Sequence, residues 1–374
     1  MNKSGLTRKL TAAVLFAGVL SMCFVPAAAA EETDMCRSAL TGETVPSDIG
    51  RKRPIAVMFN NIYDAIPQYG ISKAGVLVEA EVEGLITRIM GILEDYEDCA
   101  RIGSVRSARN YYYYYAREYN AIFCHYGEAA WARPLIALDS TIELDGEKEY
   151  GDLVYFRSED RVSPHNAFLT YDGVQSGIEA LGIDDALPDD YNRDWEFASE
   201  GEVITNDGGE TANVVLPGYV YNHARFEYNA GDGLYYRYQF GDPQTDGNND
   251  EQLAVKNIIL QYCDSTGFDD NGYLWTDDVT GGTGKYITNG KAIDITWNKR
   301  ISQADSSFVV NVDAANISVP VYTGDFTETL FYDTDGNPIK LNNGKTWICL
   351  IRNSASSRPL ITDDYSVSSD ATDY

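Results

Sequence analysis

Residues 75–93, with the sequence GVLVEAEVEGLITRIMGIL, decide how the first half of the chain folds. Small or branched apolar side chains alternate with glutamates up to a Gly-Leu turn, and an apolar run then returns. Alternation with a period of two is typical of a strand that packs on one face. We therefore predict an antiparallel hairpin with one packed face and one acidic face in water. The acidic face carries Glu79, Glu81 and Glu83.

Around this hairpin, apolar runs of strand length alternate with helical patterns. The strand runs lie at 55–59, 121–125 and 153–156, and the helical patterns lie at 107–119, 128–138 and 171–181. Alternation of strands and helices, together with an antiparallel hairpin, predicts an α/β-type domain with a mixed sheet over residues 51–190.

The sequence changes character after residue 190. Short alternating runs follow one another without a helical period, and Asn-Gly and Asp-Gly pairs separate several of them. These dipeptides favour the positive φ angles of tight hairpin turns. We predict a mainly antiparallel β domain over residues 191–352, so that the fold class of the whole chain is α+β.

Both ends of the chain are predicted to lie outside these domains. Residues 1–30 have the basic start, the apolar stretch and the small-residue end of a secretory signal peptide. Residues 31–50 are rich in turn residues and are predicted to form a linker, and residues 353–374 to form a flexible tail. No other apolar stretch is long enough to cross a membrane. We expect an exported protein that is extracellular or associated with the cell envelope.

The cysteines bear on lipidation and on disulfides. A lipoprotein signal has a small residue directly before the lipidated cysteine, and Met22 stands before Cys23, so we do not expect a lipid anchor. The remaining five have no close pairs that would indicate zinc. They are Cys36, Cys99, Cys124, Cys263 and Cys349. A disulfide between Cys36 and Cys99 stays open.

The charge of the chain excludes one class of partner. Its 374 residues include 57 acidic and 29 basic side chains, which gives a formal charge of −28. The phosphate backbone of a nucleic acid repels such a protein, so nucleic-acid binding is not expected. Hydrophobic residues nevertheless make up 44% of the chain, which is enough for a folded core and excludes general disorder.

Against this acidic background, basic residues gather in one early segment. Arg106 and Arg109 are three apart at the start of the predicted helix 107–119, with Ser107 as its expected N-cap. Guanidinium groups and the free amides of a helix start both bind anions. We predict that these two arginines and Arg88 bind an anionic ligand. The alternative, that they only pair with the three glutamates of the hairpin, stays open.

Two histidines are candidates for acid–base chemistry. His125 ends a predicted strand, where catalytic groups of open sheets are found, and His165 lies in a Ser-Pro-His-Asn turn. Together with Glu83 they form the predicted catalytic set. No HxH, HxxxH or HExxH spacing and no nucleotide-binding loop is present, so we predict no metal and no cofactor. Some rings of the tyrosine run 111–115 are expected to be buried, and the others to be free for a sugar-binding wall.

Several short motifs resemble those of the YerB-like family of bacterial exported proteins, many of which are described as lipoproteins. The motifs are 53–58, 67–68, 83–84, 86–88, 105–109, His125 and 164–166, and in the second half Tyr235, Arg237, 295–297 and 344–347. The resemblance covers about residues 53–352 and implies one shared site that contains Glu83, His125, His165 and the three arginines. Asn61 and Asn166 complete the predicted ligand-binding set. Both family domains are of unknown function, so the resemblance implies no reaction.

The chain departs from the family pattern at several of these motifs. Asn60 stands where the pattern has Asp, Ile66 where it has Arg, and Ser104 where it has Pro. Residues 126–128 stand where the pattern has a Gly-Gly pair after the histidine. The replaced Asp and Arg leave open whether this chain is an enzyme.

These observations favour an exported envelope protein that binds an anionic envelope ligand through the arginines. The ligand would be a phosphate- or carboxylate-bearing glycopolymer or a small anion. Two alternatives stay open. One is a hydrolase or transferase that acts on such a polymer, with Glu83 or His125 as acid or base. The other is a protein-interaction module that docks basic partners on the acidic surface of the β domain.

Overall fold

A computed structural model describes residues 34–137, 142–188, 191, 195–267, 272–299, 306–312, 315–321, 328–355 and 358–368, with the strands 306–312 and 315–321 described by their backbone alone. The predicted signal peptide, with Cys23, lies outside these residues, as do Leu138 and residues 369–374. In the described part of the chain, no helix is long and apolar enough to span a membrane.

The first half contains strands and short helices in alternation. The strands are β1 (Met35–Arg37), β2 (Thr44–Pro46), β3 (Ile55–Asn61), β4 (Val76–Glu81), β5 (Thr87–Leu93), β6 (Ile102–Gly103), β7 (Ile122–His125), β8 (Glu143–Asp145), β9 (Tyr155–Arg157) and β10 (Ala167–Leu169). The helices are α1 (Ser47–Gly50), α2 (Asn110–Glu118), α3 (Arg133–Ile136), α4 (Gly151–Val154) and α5 (Tyr171–Leu181). Short 3-10 helices lie at Tyr63–Ala65, Ile71–Lys73 and Glu83–Leu85.

The described residues of the second half contain strands. They are β11 (Glu196–Phe197), β12 (Glu210–Thr211), β13 (Val214–Leu216), β14 (Arg225–Asn229), β15 (Leu234–Gln239), β16 (Asp242–Pro243), β17 (Ala254–Val255), β18 (Asn257–Cys263) and β19 (Ser265–Gly267). The chain continues with β20 (Leu274–Thr276), β21 (Gly282–Thr288), β22 (Lys291–Asn298), β23 (Ser306–Val312), β24 (Ala315–Val321), β25 (Leu330–Tyr332), β26 (Lys340–Leu341), β27 (Thr346–Arg352) and β28 (Leu360–Thr362).

One mixed sheet organises the structure. Among the described residues it has eleven strands, in the order β12-β22-β21-β18-β27-β4-β5-β3-β7-β8, with β25 paired to β22. β27 lies between β18 and β4 and runs parallel to both, so strands from both halves of the sequence form one layer. The α+β class with a mixed sheet is confirmed. The domain boundary at residue 190 stays a prediction, and the sheet continues across it.

The hairpin of residues 75–93 is formed by β4 and β5, which pair antiparallel as predicted. The prediction that its acidic face lies in water is wrong, because Glu79 and Glu81 are buried. Arginines of the second half lie against this face and pair with the two carboxylates, Arg237 with Glu79 and Arg352 with Glu81. The face that alternation marks as polar is therefore an internal surface of the fold.

The helix predictions had different outcomes. α5 has the bounds that the sequence predicts, and Gly182 ends it in the left-handed conformation with a φ of 63°. The helix predicted at 107–119 begins later, at Asn110, and Ser107 does not cap it. α3 is a single turn within the predicted helix 128–138. The predicted strand 153–156 is the end of α4 followed by β9.

The tyrosine run 111–115 lies within α2, and all five rings are buried. Two of the hydroxyls donate to backbone carbonyls of the hairpin, that of Tyr111 to Glu81 and that of Tyr112 to Arg88, both at 2.7 Å. The predicted sugar-binding wall of free tyrosines is therefore wrong, because the helix packs its rings into the core.

The described parts of the predicted linker and tail belong to the fold. β1 pairs antiparallel with β2 inside the predicted linker 31–50, and α1 follows. β28 pairs with β13 inside the predicted tail 353–374. Each of these elements is only three or four residues long, so no apolar period marks it in the sequence. Cys36 and Cys99 are free thiols, and the disulfide left open is not formed.

A buried ion pair joins the two halves of the sequence. Arg237 Nη2 donates to Glu79 Oε2 at 2.7 Å, and both side chains are fully buried. Trp347, Asn222 and Thr87 donate to the same carboxylate at 3.2, 2.9 and 2.8 Å. We call these five residues the buried network. Removal of one charge would leave the other buried and unpaired, which is strongly destabilising.

This network gives a stability prediction. Arg237→Ala should lower the free energy of unfolding by about 3–5 kcal/mol, because Glu79 loses its only buried charge partner in the described network. Urea denaturation of the full chain measures the change. The control is Arg51→Ala, which breaks an exposed pair with Asp34 at 3.8 Å and should cost no more than about 1 kcal/mol.

If Arg237→Ala does not fold, the double variant Glu79→Gln with Arg237→Met replaces both charges and should be more stable than Arg237→Ala. A loss for Arg237→Ala no larger than that of the control would show that the pair does not stabilise the fold.

Candidate functional site

Strand pairing determines which side chains share a face at the candidate site. Asn60 lies opposite Arg88 in the β3–β5 pair, and Arg88 lies opposite Ala80 in the β4–β5 pair. Successive side chains of a strand point to opposite faces, so these three share one face while Thr87 and Asn61 lie on the other. Asn61, predicted to bind ligand, donates to Thr87 Oγ1 at 2.7 Å and so lies beside the buried network.

The segment that carries the other two arginines is extended. Val105 forms an antiparallel bridge with Phe59, and the Arg106 amide donates to the Met58 carbonyl at 2.9 Å. Arg109 has an extended backbone with a φ of −127° and stands directly before α2. The prediction that both arginines lie on the first turn of the helix is therefore wrong, because this segment pairs with the end of β3 before the helix begins.

The guanidinium groups of Arg88 and Arg109 meet at one carbonyl, and Arg106 is near enough to repel both; we call the three groups the arginine cluster. Arg88 Nη1 and Arg109 Nη1 both donate to the carbonyl oxygen of Ser107, the latter at 3.3 Å. Arg106 Nη1 donates to the carbonyl oxygen of Pro164 at 3.2 Å. Arg88 and Arg109 are each 5% exposed, whereas Arg106 is half-buried. Arg106 therefore lies at the open side of the cluster.

Glu83 is the carboxylate that pairs with this cluster. Arg109 donates from Nε to Oε1 and from Nη2 to Oε2, both at 2.6 Å. A fork of two parallel bonds holds both side chains in one orientation. The sequence left open that the arginines pair with glutamates of the hairpin. Arg109 does form such a pair. Among the described residues, no ion pair joins Arg88 or Arg106 to a carboxylate.

Arg88 and Arg106, which form no ion pair in the described structure, are affected by burial and by repulsion from neighbouring arginines. Burial, together with the neighbouring charges of Arg109 and Arg106, lowers the pKa of Arg88 to about 9. Burial, followed by repulsion from Arg109 and Arg157, also lowers the pKa of Arg106. At pH 7 Arg88 is still charged, but its protonated form is less stable than in water. A bound anion would attract both guanidinium groups and raise their pKa values again.

His165 lies beside the cluster. Asn60 Nδ2 donates to His165 Nδ1 at 2.8 Å, which places the proton of the neutral ring on Nε2. Burial, followed by repulsion from Arg106, lowers the pKa of His165. Asn166 is engaged elsewhere, since it donates to the Ser158 carbonyl at 3.1 Å and accepts from Arg157 at 2.9 Å.

His125 belongs to a different group of side chains. It is fully buried at the end of β7, with Nδ1 2.9 Å from the Gly127 carbonyl and Nε2 3.1 Å from Glu143 Oε2. Ligand atoms of His125, Glu128 and Asp145 lie within 4.8 Å of one another, so this group could hold a metal ion that the sequence spacing did not predict. Both ring nitrogens already face acceptors in the protein.

Comparison with known proteins gives the family. Two family models match, described as the N-terminal domain of a protein of unknown function (DUF3048) over residues 40–184 and its C-terminal domain over residues 214–325. A protein of Bacillus subtilis (strain 168) named "Putative lipoprotein YerB" is 28% identical over 269 residues, which cover 70% of this chain and 78% of that protein. The chain belongs to the YerB-like family.

The fold of the family is known from the crystal structure of YerB from Bacillus subtilis. It matches with a TM-score of 0.66 at 24% identity, and the match covers 84% of this chain and 96% of that one. The family domains have no assigned function. The name of the YerB relative runs against the expectation that Cys23 carries no lipid, and Cys23 lies outside the described residues.

Two residues of the site were absent from the predicted set. In the sequence, Asn60 and Ser104 stand out only as departures from the family pattern. In the structure, the Asn60 side chain holds His165, and the Asn60 backbone N–H donates to the Ser104 carbonyl at 2.9 Å. The signal that could have found Asn60 is its position at the end of a buried strand beside Arg88. Ser104 had no comparable signal, because its pairing with β3 depends on the path of an extended segment.

The environment of His165 gives a titration prediction. The midpoint of the His165 titration, measured by NMR from the imidazole Cε1–H resonance, should lie below the ordinary value of about 6.5. Arg106→Gln should raise this midpoint, because it removes a nearby positive charge. The matched control is Arg133→Gln, because Arg133 pairs with Glu128 in another part of the first half. A midpoint at or above the ordinary value in the parent chain would contradict the placement of His165.

Proposed function

We propose that this protein is an exported, envelope-associated protein that binds an anionic envelope ligand through the arginine cluster. The observation that carries the proposal is the convergence of three guanidinium groups with one paired carboxylate, Glu83. Guanidinium groups bind phosphate and carboxylate in forks of hydrogen bonds, and burial strengthens these bonds. Because the rest of the chain is acidic and repels anions, we expect an anionic ligand to bind at this cluster and not elsewhere on the surface.

The predicted signal peptide and the name of the YerB relative support the cellular setting. The predicted ligand is a phosphate- or carboxylate-bearing glycopolymer, since polymers of this kind are the anionic partners that an exported protein meets at the envelope. The cluster lies in the segment 40–184 that matches the N-terminal family domain.

The side chains favour binding over catalysis. Glu83, a candidate acid or base, has both oxygens engaged by Arg109. His125, the other candidate, is fully buried and has both ring nitrogens engaged. A general acid or base needs a free position within hydrogen-bond reach of the substrate. His165 is more accessible, but Asn60 holds its Nδ1.

Polymer binding tests the proposal. Purified phosphate-bearing wall glycopolymer and peptidoglycan fragments are titrated into the full chain, and the affinity of Arg106→Ala is compared with that of the parent. Arg106→Ala should bind at least about tenfold more weakly, because one charge-assisted hydrogen bond is lost. Arg133→Ala removes the same charge from a side chain that is 66% exposed outside the cluster and should leave the affinity unchanged.

Two outcomes would contradict this proposal. Equal binding by the parent and by Arg106→Ala would show that the arginine cluster is structural. Release of polymer fragments during incubation, abolished by His125→Ala, would identify a hydrolase or transferase instead of a binding protein.

A further inference from the structure

Among the residues that the structure describes, carboxylates do not balance the charge of the arginine cluster. Three guanidinium groups face one carboxylate, and that carboxylate is bonded at both oxygens to Arg109 alone. Arg88 and Arg106 are left with backbone carbonyls, those of Ser107 and Pro164. A carbonyl satisfies an N–H group but carries no net charge. Glu83 also attracts Arg88 and Arg106 through space, but its single charge against three guanidinium groups leaves an excess of two positive charges in a largely desolvated site.

The other charged groups near the cluster do not remove this excess. Arg157 repels Arg106, and Arg161 acts on His165 in the same direction, so both add positive charge. Asp64 acts on His165 in the opposite direction, and Asp160 attracts Arg161 but forms its ion pair with Arg101. Neither carboxylate forms an ion pair with Arg88 or Arg106 in the described structure. His165 is uncharged at neutral pH because its pKa is lowered, so it contributes no charge there.

A second observation is independent of charge. Ser104 is fully buried, and its Oγ has no hydrogen-bond partner in the described structure. The bridge between Phe59 and Val105 and the hydrogen bond from the Asn60 backbone N–H to the Ser104 carbonyl place Ser104 beside Asn60, the strand neighbour of Arg88. A buried hydroxyl without a partner is costly, and a ligand oxygen bound beside Asn60 would satisfy it.

We infer that the arginine cluster binds a tetrahedral dianion, such as the phosphate monoester end group of an envelope polymer, in preference to a phosphodiester or a carboxylate. Two charges match the excess left by Arg88 and Arg106, and an oxygen accepts from Ser104. A phosphodiester or a carboxylate carries one charge and leaves one guanidinium unbalanced. This inference rests on the proposed function, since it names the chemistry that the same site would select.

Calorimetric titration of the full chain tests the preference with small anions of one size class. Methyl phosphate and sulfate supply two charges at pH 8, whereas dimethyl phosphate and acetate supply one. The two dianions should bind at least about tenfold more tightly than the two monoanions, because an additional charge-assisted contact is formed. Sulfate and methyl phosphate together separate the effect of charge from that of phosphorus chemistry.

The pH dependence separates the charge of the ligand from that of the protein. A phosphate monoester loses its second charge below a pKa of about 6, while sulfate keeps both. The ratio of sulfate affinity to methyl phosphate affinity should therefore rise as the pH falls from 8 to 5. Protonation of His165 affects both ligands alike and cancels from this ratio.

Ser104→Ala tests the hydroxyl. Methyl phosphate affinity should fall about five- to tenfold, while the melting temperature stays the same or rises, because an unpaired buried hydroxyl is removed. Ser176→Ala is the matched control, since Ser176 lies on α5 and donates to the Asp172 carbonyl on the surface. An unchanged affinity in Ser104→Ala would overturn the role given to this hydroxyl.

The outcomes distinguish this inference from the function on which it rests. Equal affinities for mono- and dianions, reduced in Arg106→Gln, would overturn the dianion preference and leave the anion site in place. Absence of binding by any of the four anions would overturn both. Tighter binding of the dianions with a flat sulfate-to-phosphate ratio across pH would overturn the charge-matching explanation.

Discussion

The ion pair between Glu79 and Arg237 is the constraint on which the rest of the structure depends. Its two residues are 158 positions apart and come from the two segments that match the two family domains. Two charges can be buried at this depth only together, so the second half must lie against β4 for the first half to fold. This requirement turns the acidic face of a hairpin into an internal contact between the two segments.

The same network positions the arginine cluster on the opposite face of the sheet. Thr87 donates to Glu79, and the next residue, Arg88, faces the other side. Asn61 donates to Thr87, and its neighbour Asn60 holds His165. The ends of β3 and β5 are therefore fixed from one face and present ligand-binding groups on the other. Rigid strands of this kind hold charged groups near one another against their mutual repulsion.

The sequence predicted those features that depend on local pattern. The hairpin followed from alternation, and α5 followed from its apolar period and from Gly182, which ends it. The position of Arg88, Arg106 and Arg109 in one early segment of the chain suggested that they lie together, and Arg88 and Arg109 do share the Ser107 carbonyl, but that they bind a ligand stays a prediction. The burial of Glu79 could not be predicted, since alternation marks a polar face but does not say whether another segment covers it.

Features that depend on long-range pairing were predicted wrongly for the same reason. Ser107 has the residue type of an N-cap, but pairing of residues 104–106 with β3 keeps the chain extended and delays the helix to Asn110. The tyrosines at 111–115 carry polar hydroxyls that suit a surface, yet the hydroxyls of Tyr111 and Tyr112 find backbone acceptors on the sheet. In each case a tertiary partner overrode the local preference.

A crystal structure of the full chain grown with selenate would show whether a tetrahedral dianion binds at the arginine cluster, because the anomalous signal of selenium locates such an ion without ambiguity. We expect a selenate at the arginine cluster, with oxygens within hydrogen-bond distance of the guanidinium groups of Arg88 and Arg106 and of Ser104 Oγ. Crystals that bind selenate elsewhere but leave this position to a protein carboxylate, such as Asp64, would contradict it.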